Sequence, residues 1–214
     1  MRPEDRRNAA TSIEAVVFDL GGVCIYWDPR HLYRKLFAGD DEAMERFLTE
    51  VCSQEWNAEL DAGRSWAEAI ETLSQEHPES RRHIEAFRER WVEMLGGPID
   101  DTVVVLDRLH RDGIPIYALS NWSAETYPIA QPLFPFLEWF DGVVISGAEG
   151  IRKPDPRIFR VLLDRYGLDA ATTAFVDDVA ENVEAAEAVG MTGILYRDGA
   201  ALRADLRRLG LLDA

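Results

Sequence analysis

The chain has 214 residues, 47% of them hydrophobic, and carries 23 Lys and Arg against 39 Asp and Glu, a net charge of −16. That length supports a packed globular core with room for an insertion, while the acidic balance repels polyanions and argues against a nucleic-acid or anionic-membrane partner. No apolar run approaches the roughly 20 residues of a membrane span, MRPEDRRNAATS lacks the apolar stretch of a signal peptide, and Cys24 and Cys52 show no metal-type spacing, so a cytoplasmic protein with two free thiols is expected.

Residues 1–12 read as a flexible tail. AVVF (15–18) is the first of five short apolar runs; the others are IPIYAL (114–119), VVI (143–145), TAFV (173–176) and GILY (193–196). Their length and β-branched content predict buried strands. A helical pattern follows each, and the clearest is DPRIFRVLLDRYG, where Asp155 caps, Pro156 opens, one apolar face follows and Gly167 closes. Alternating strand and helix predicts an α/β fold with a doubly wound, Rossmann-like parallel sheet.

The first two runs stand roughly 100 residues apart, against about 20 to 30 between later ones. The long interval is helical in pattern. Met44, Phe47, Leu48 and Val51 share a face, Ser65 and Glu68 form a capping box, and Ile84, Phe87, Trp91, Val92 and Leu95 make a stripe. Residues 28–98 are therefore expected to be an inserted helical cap on a core of 13–27 and 99–214, with Gly96, Gly97 and Pro98 as its hinge and a core helix over about 100–112.

Ligands of parallel α/β sheets bind beyond the carboxyl ends of the strands. There the chain places Asp19 after the first run, Ser120 and Asn121 after the second, Lys153 in IRKPDP after the third, and Asp177 and Asp178 after the fourth. Each alone has an ordinary explanation, as a turn residue, a helix cap or a surface lysine. Together, at one rim, they point to a site. Crowded carboxylates repel unless protonated or bridged by a cation, and Mg²⁺ takes one or two carboxylates, keeps waters and accepts a phosphate oxygen. Substrate choice is expected in the cap and in CIYWDPRH, through Tyr26, Trp27, Asp28 and Arg30, with Trp56, Asp61 and Trp122 also nearby; packing of cap on core is the alternative task for the aromatics.

Four stretches in order, VVFDLGGV (16–23), ALSNWS (118–123), RKPDP (152–156) and FVDDVAENVEAA (175–186), resemble the four motifs of the haloacid dehalogenase superfamily, and the helical insertion resembles the C1 cap of its small-metabolite phosphatases and 2-haloacid dehalogenases. The resemblance implies an Mg²⁺-dependent phosphatase of small phosphorylated metabolites, sugar phosphates among them. Asp19 would be the nucleophile of an aspartyl-phosphate route. Ser120 and Lys153 would hold the phosphoryl group with the glycine turn at Gly22; Asn121 would position substrate or the Ser120 loop, and Trp27 and Trp122 would line the pocket. The metal would be held by Asp19, the Gly21 carbonyl and Asp178, with Asp177 and Asn182 behind it. Gly21 departs from the pattern, since most relatives have there an aspartate that acts as acid and base. Glucose-1-phosphate phosphatases of the family resemble this chain in having glycine instead. Asp28 and Asp177 are the candidate replacements. The alternatives are a 2-haloacid dehalogenase, which the acidic pair 177–178 disfavours, and a catalytically silent phosphometabolite-binding protein. Monomer and homodimer both remain open.

Overall fold

The computed structural model describes residues 12–213, so the tail expected over 1–12 lies, apart from Ser12, outside the described residues. Its strands are β1 (Ala15–Phe18), β2 (Ile25–Trp27), β3 (Leu95–Pro98), β4 (Ile116–Ser120), β5 (Gly142–Ile145), β6 (Thr173–Asp177) and β7 (Thr192–Leu195). Five of them form one parallel sheet in the order β5-β4-β1-β6-β7. All five apolar runs thus become strands. IPIYAL loses its first two residues: Pro115 has no N–H to give a ladder, and pairing begins at Ile116.

β1 is central, paired with β4 on one side and β6 on the other, and all four of its residues are buried. A strand covered on both faces reads as an unbroken apolar run. Side chains alternate between faces: Val16 and Phe18 join the larger hydrophobic cluster, while Val17 joins a smaller one with Leu119, Phe175 and the Ile158, Phe159, Leu162 and Leu163 face of helix Pro156–Tyr166. That helix is capped by Asp155, which accepts from Arg157 N–H, and is closed by Gly167 at φ 66°. The opposite face of the sheet is covered partly by helices Asp100–Arg111 and Gly199–Arg208.

Between β2 and β3 lie five α-helices, Arg30–Leu36, Asp41–Glu50, Gln54–Asp61, Trp66–Glu76 and Arg81–Glu89. Ser65 accepts from Glu68 N–H and so supplies its half of the capping box. The apolar faces of the insertion run into the same cluster as Val16 and Phe18. One expectation fails here. The stripe from Ile84 to Leu95 is not one helix: the helix ends at Glu89, a tighter turn spans Trp91–Met94, and Val92 is left 43% exposed. The segment expected as the hinge, Gly96, Gly97 and Pro98, lies in a strand. β3 pairs antiparallel with β2, Tyr26 opposite Gly97 and Ile25 opposite Pro98, tying the chain's exit into the insertion to its return. Glycine is required there for space, because a Cβ on Gly96 would stand 2.8 Å from both Tyr26 Cβ and His31 Cε1.

Candidate active site

Beyond Phe18 the chain turns at once. Asp19 N–H continues the sheet by donating to the Val176 carbonyl at 2.8 Å. Its Oδ1 accepts from Leu20 N–H at 2.6 Å, and the Cys24 thiol donates to its carbonyl at 3.2 Å, so both ends of the residue are fixed. The two glycines that follow differ. Gly22 adopts φ 74° and lies under Asp178, whose Cγ would stand 2.8 Å from a Cβ there, so glycine is needed for both conformation and close approach. Gly21 has no left-handed backbone, and a Cβ on it would meet nothing within 4 Å.

Lys153 is buried, 1% exposed. An ammonium has three donors, and all three are used: Nζ donates to the Leu119 carbonyl at 2.8 Å and to Asp177 Oδ2 at 2.6 Å, and lies 3.0 Å from Asp19 Oδ2. Burial opposes its charge, but the carboxylates of Asp19 and Asp177 outweigh it and raise its pKa. Asn121 holds this lysine by the main chain, its Nδ2 donating to the Lys153 carbonyl at 3.0 Å and its Oδ1 accepting from Lys153 N–H at 2.8 Å. Asn182 donates from Nδ2 to both oxygens of Asp177 at 3.0 Å. Both asparagines thus engage their amides with neighbouring charged residues while still lining the chamber.

Asp19, Asp177 and Asp178 each offer an oxygen within 4.8 Å of the others. Burial pushes the Asp19 carboxyl up to about 7 against the pull of Lys153, with Asp177 adding to the rise and the Ser120 hydroxyl opposing it. Asp178, on the open side, is raised by partial burial and by the charge of Asp177. A single lysine charge faces three carboxylates. Hard oxygen donors at this separation, with charge left to neutralise, suit a small divalent cation such as Mg²⁺.

The rim opens into a chamber of about 750 Å³ lined by Asp19, Gly21, Gly22, Ser120, Asn121 and Asp178 at its floor and by insertion residues above. Trp27 and Trp122 line it too. Trp122 also packs: its ring lies 5.7 Å from that of Trp91 and its Nε1 donates to Thr126 Oγ1 at 3.1 Å. Trp66 Nε1 donates to Ser123 Oγ at 2.8 Å, a second junction between insertion and core. Asp177 is fully buried beneath the floor, not in the chamber. Two chamber residues carried less weight in the sequence than the structure gives them. Arg152 is one step before Lys153 in its motif. Asp61, the last residue of helix Gln54–Asp61, is half-buried, and desolvation pushes its carboxyl up to about 7; an acid at a helix C-terminus opposes the macrodipole, and that local cost is the signal which marks it in the sequence.

The description "haloacid dehalogenase-like hydrolase" matches residues 13–190. A sesquiterpene phosphatase from Aspergillus oryzae is 28% identical over 200 residues, covering 93% of this chain and 97% of that protein. Among solved structures, a predicted haloacid dehalogenase-like hydrolase from Porphyromonas gingivalis superposes with a TM-score of 0.72 at 24% identity, covering 94% of this chain and all of the other. An enzyme of the same family from Bacteroides thetaiotaomicron, solved with magnesium and inorganic phosphate, gives a TM-score of 0.67 at 24% identity over 87% of this chain and 96% of its own. At those identities the structures speak for the fold alone, but the match over 13–190 covers most of the sequence, and the protein belongs to the haloacid dehalogenase-like hydrolase family.

Proposed function

We propose that the protein is an Mg²⁺-dependent phosphatase of small organic phosphate monoesters. The observation that carries this reading is the convergence of Asp19 and Asp178 from two strand ends on the floor of one chamber, with the buried Lys153 ammonium 3.0 Å from Asp19 Oδ2. Asp19 attacks phosphorus with a carboxylate oxygen, giving an aspartyl-phosphate that water hydrolyses. Lys153 holds its charge beside the attacking oxygen, and the Ser120 hydroxyl and the turn at Gly21 border the space for the phosphoryl oxygens. Asp19, the Gly21 carbonyl and Asp178 would hold the metal, with Asp177 and Asn182 behind them; bound there, Mg²⁺ supplies charge neutralisation and a template for the phosphoryl group. The buried Lys153–Asp177 pair keeps the ammonium aimed at Asp19.

A sugar phosphate is the substrate expected from the sequence. The chamber favours a second reading as strongly, since Ile25, Leu48, Trp66, Phe87 and Trp91 give it an apolar wall, which suits an ester of an apolar alcohol, the chemistry named for the Aspergillus relative. A haloacid anion meets the Asp178 carboxylate beside Asp19 on the chamber floor. The deciding experiment is phosphate release from a panel of sugar and apolar-alcohol phosphates with and without Mg²⁺, beside Asp19→Asn. Turnover that needs both the metal and Asp19 is expected; equal release by variant and parent contradicts the role given to Asp19, and halide release from a 2-haloacid without Mg²⁺ contradicts the reading as a whole.

A further inference from the structure

Gly21 leaves this chain without a side chain where most relatives have a proton carrier, and the space beyond it is open. A replacement has to reach that space from another wall. Asp28 is poorly suited, because its Oδ1 is already engaged, accepting from Arg30 N–H at 2.9 Å and from Arg30 Nη1 at 3.3 Å. Asp177 is committed to Lys153 and Asn182 and lies below the chamber. Glu55 is exposed, and hydrogen bonds from its own backbone N–H and from Ser53 hold it below the ordinary carboxylate range.

We propose that Asp61 is the proton carrier of the reaction, an acid brought to the chamber by the helical insertion in place of the one missing at Gly21. The proposal rests on the phosphatase reading above. Asp61 lines the same chamber as Asp19 and Gly21. It is held in place from both sides: Asn57 Nδ2 donates to Oδ2 at 3.1 Å from the preceding turn of its own helix, and Ser146, at the end of β5, donates its hydroxyl to the Asp61 carbonyl. Its position as the last residue of helix Gln54–Asp61 puts it at the negative end of the helix dipole, which disfavours the charged form. The charged groups bearing on it are Arg152 and Asp19; burial raises its pKa most, Arg152 and the Ser123 N–H lower it, and Asp19 raises it, leaving a value of about 7. A carboxyl balanced near neutrality gives and takes protons at working pH.

The steps balance. As the Asp19 oxygen bonds to phosphorus and the bond from phosphorus to the ester oxygen breaks, the Asp61 proton passes to that oxygen, and a neutral alcohol leaves. In the second half, the Asp61 carboxylate takes a proton from water as the water oxygen attacks the phosphorus. The Asp19–phosphorus bond breaks, inorganic phosphate leaves, and both aspartates return to their starting states.

The test is pre-steady-state kinetics of Asp61→Asn with two esters, an alkyl phosphate and p-nitrophenyl phosphate, at saturating Mg²⁺. An alkoxide needs a proton to leave, whereas p-nitrophenolate does not. Alkyl phosphate turnover is expected to fall by about 10²–10⁴-fold. The aryl ester is expected to release one burst of p-nitrophenolate per site and then stall, with phosphoenzyme accumulating, because only the second half still needs the missing base. Asp61→Glu, which keeps the carboxyl, should restore part of the alkyl turnover. Equal losses on both esters without a burst in both variants, or no loss on either ester, overturn the proposal. A parent that hydrolyses neither ester would instead count against the phosphatase reading itself.

Discussion

Three carboxylates and one lysine are the smallest unit that explains the site, and their balance makes it sensitive to pH. The Asp19 carboxyl ordinarily titrates at 3.8 and is pushed to about 7 by burial, so the folded chain binds its proton more tightly than the unfolded chain does. Such a group weakens the fold as pH rises from about 4 to about 7, and the deficit persists above that. Asp19→Asn has no such carboxylate. In metal-free buffer at pH 8 it should melt at a higher temperature than the parent, the difference closing as pH falls toward 4, and added Mg²⁺ should raise the parent's melting temperature but not the variant's. A variant that melts below the parent at pH 8 would contradict the electrostatics drawn here. Gly21 offers the converse test. Its Cβ direction is empty and its backbone unstrained, so Gly21→Asp should fold with a stability change within about 1 kcal/mol and, when Asp61 is replaced by Asn, restore kcat on esters with poor leaving groups by about tenfold or more. A loss of kcat would mean that the resemblance misplaces this position.

At the level of elements, legibility followed burial. β1 and β6 announce themselves because strands covered on both faces carry unbroken apolar runs, AVVF and AFV, and helix Pro156–Tyr166 because its cap, proline and closing glycine all act locally. LGGP carries no such mark. β3 exists because β2 stands beside it and because glycine lets Tyr26 and His31 come close, a tertiary cause that no window of sequence contains. Gly96→Val should therefore destabilise the protein by about 1–3 kcal/mol in urea unfolding at constant m-value; an unchanged midpoint would show that the two-stranded junction tolerates being pried apart. The same distinction separates the site residues. Asp19, Ser120, Asp177 and Asp178 were legible as polar residues at strand ends. The bonds of Asn121 to the Lys153 main chain and the arrival of Asp61 from the insertion depend on loops meeting across the fold.

At the scale of the whole molecule, the sheet acts as a mount. Its parallel order brings four strand ends to one edge, and the insertion between β2 and β3 roofs that edge to enclose a chamber far larger than a phosphate group. The net charge of −16 favours cations near the surface and disfavours polyanions, so a phosphoryl group brought to the chamber would depend on local positive charge such as Lys153 and Arg152. Family membership and fold were legible because the motifs mark strand ends; substrate identity was not, since the chamber wall is assembled from residues that also serve as core, such as Trp66, Phe87 and Trp91. The measurement that bears most directly on the account is rapid-quench mass spectrometry of the protein during turnover of a phosphate ester with Mg²⁺. The account predicts a phosphoryl group on the peptide containing Asp19, transient in the parent and absent from Asp19→Asn. Steady phosphate release with no phosphorylated peptide, or with the phosphoryl group on another residue, would contradict it.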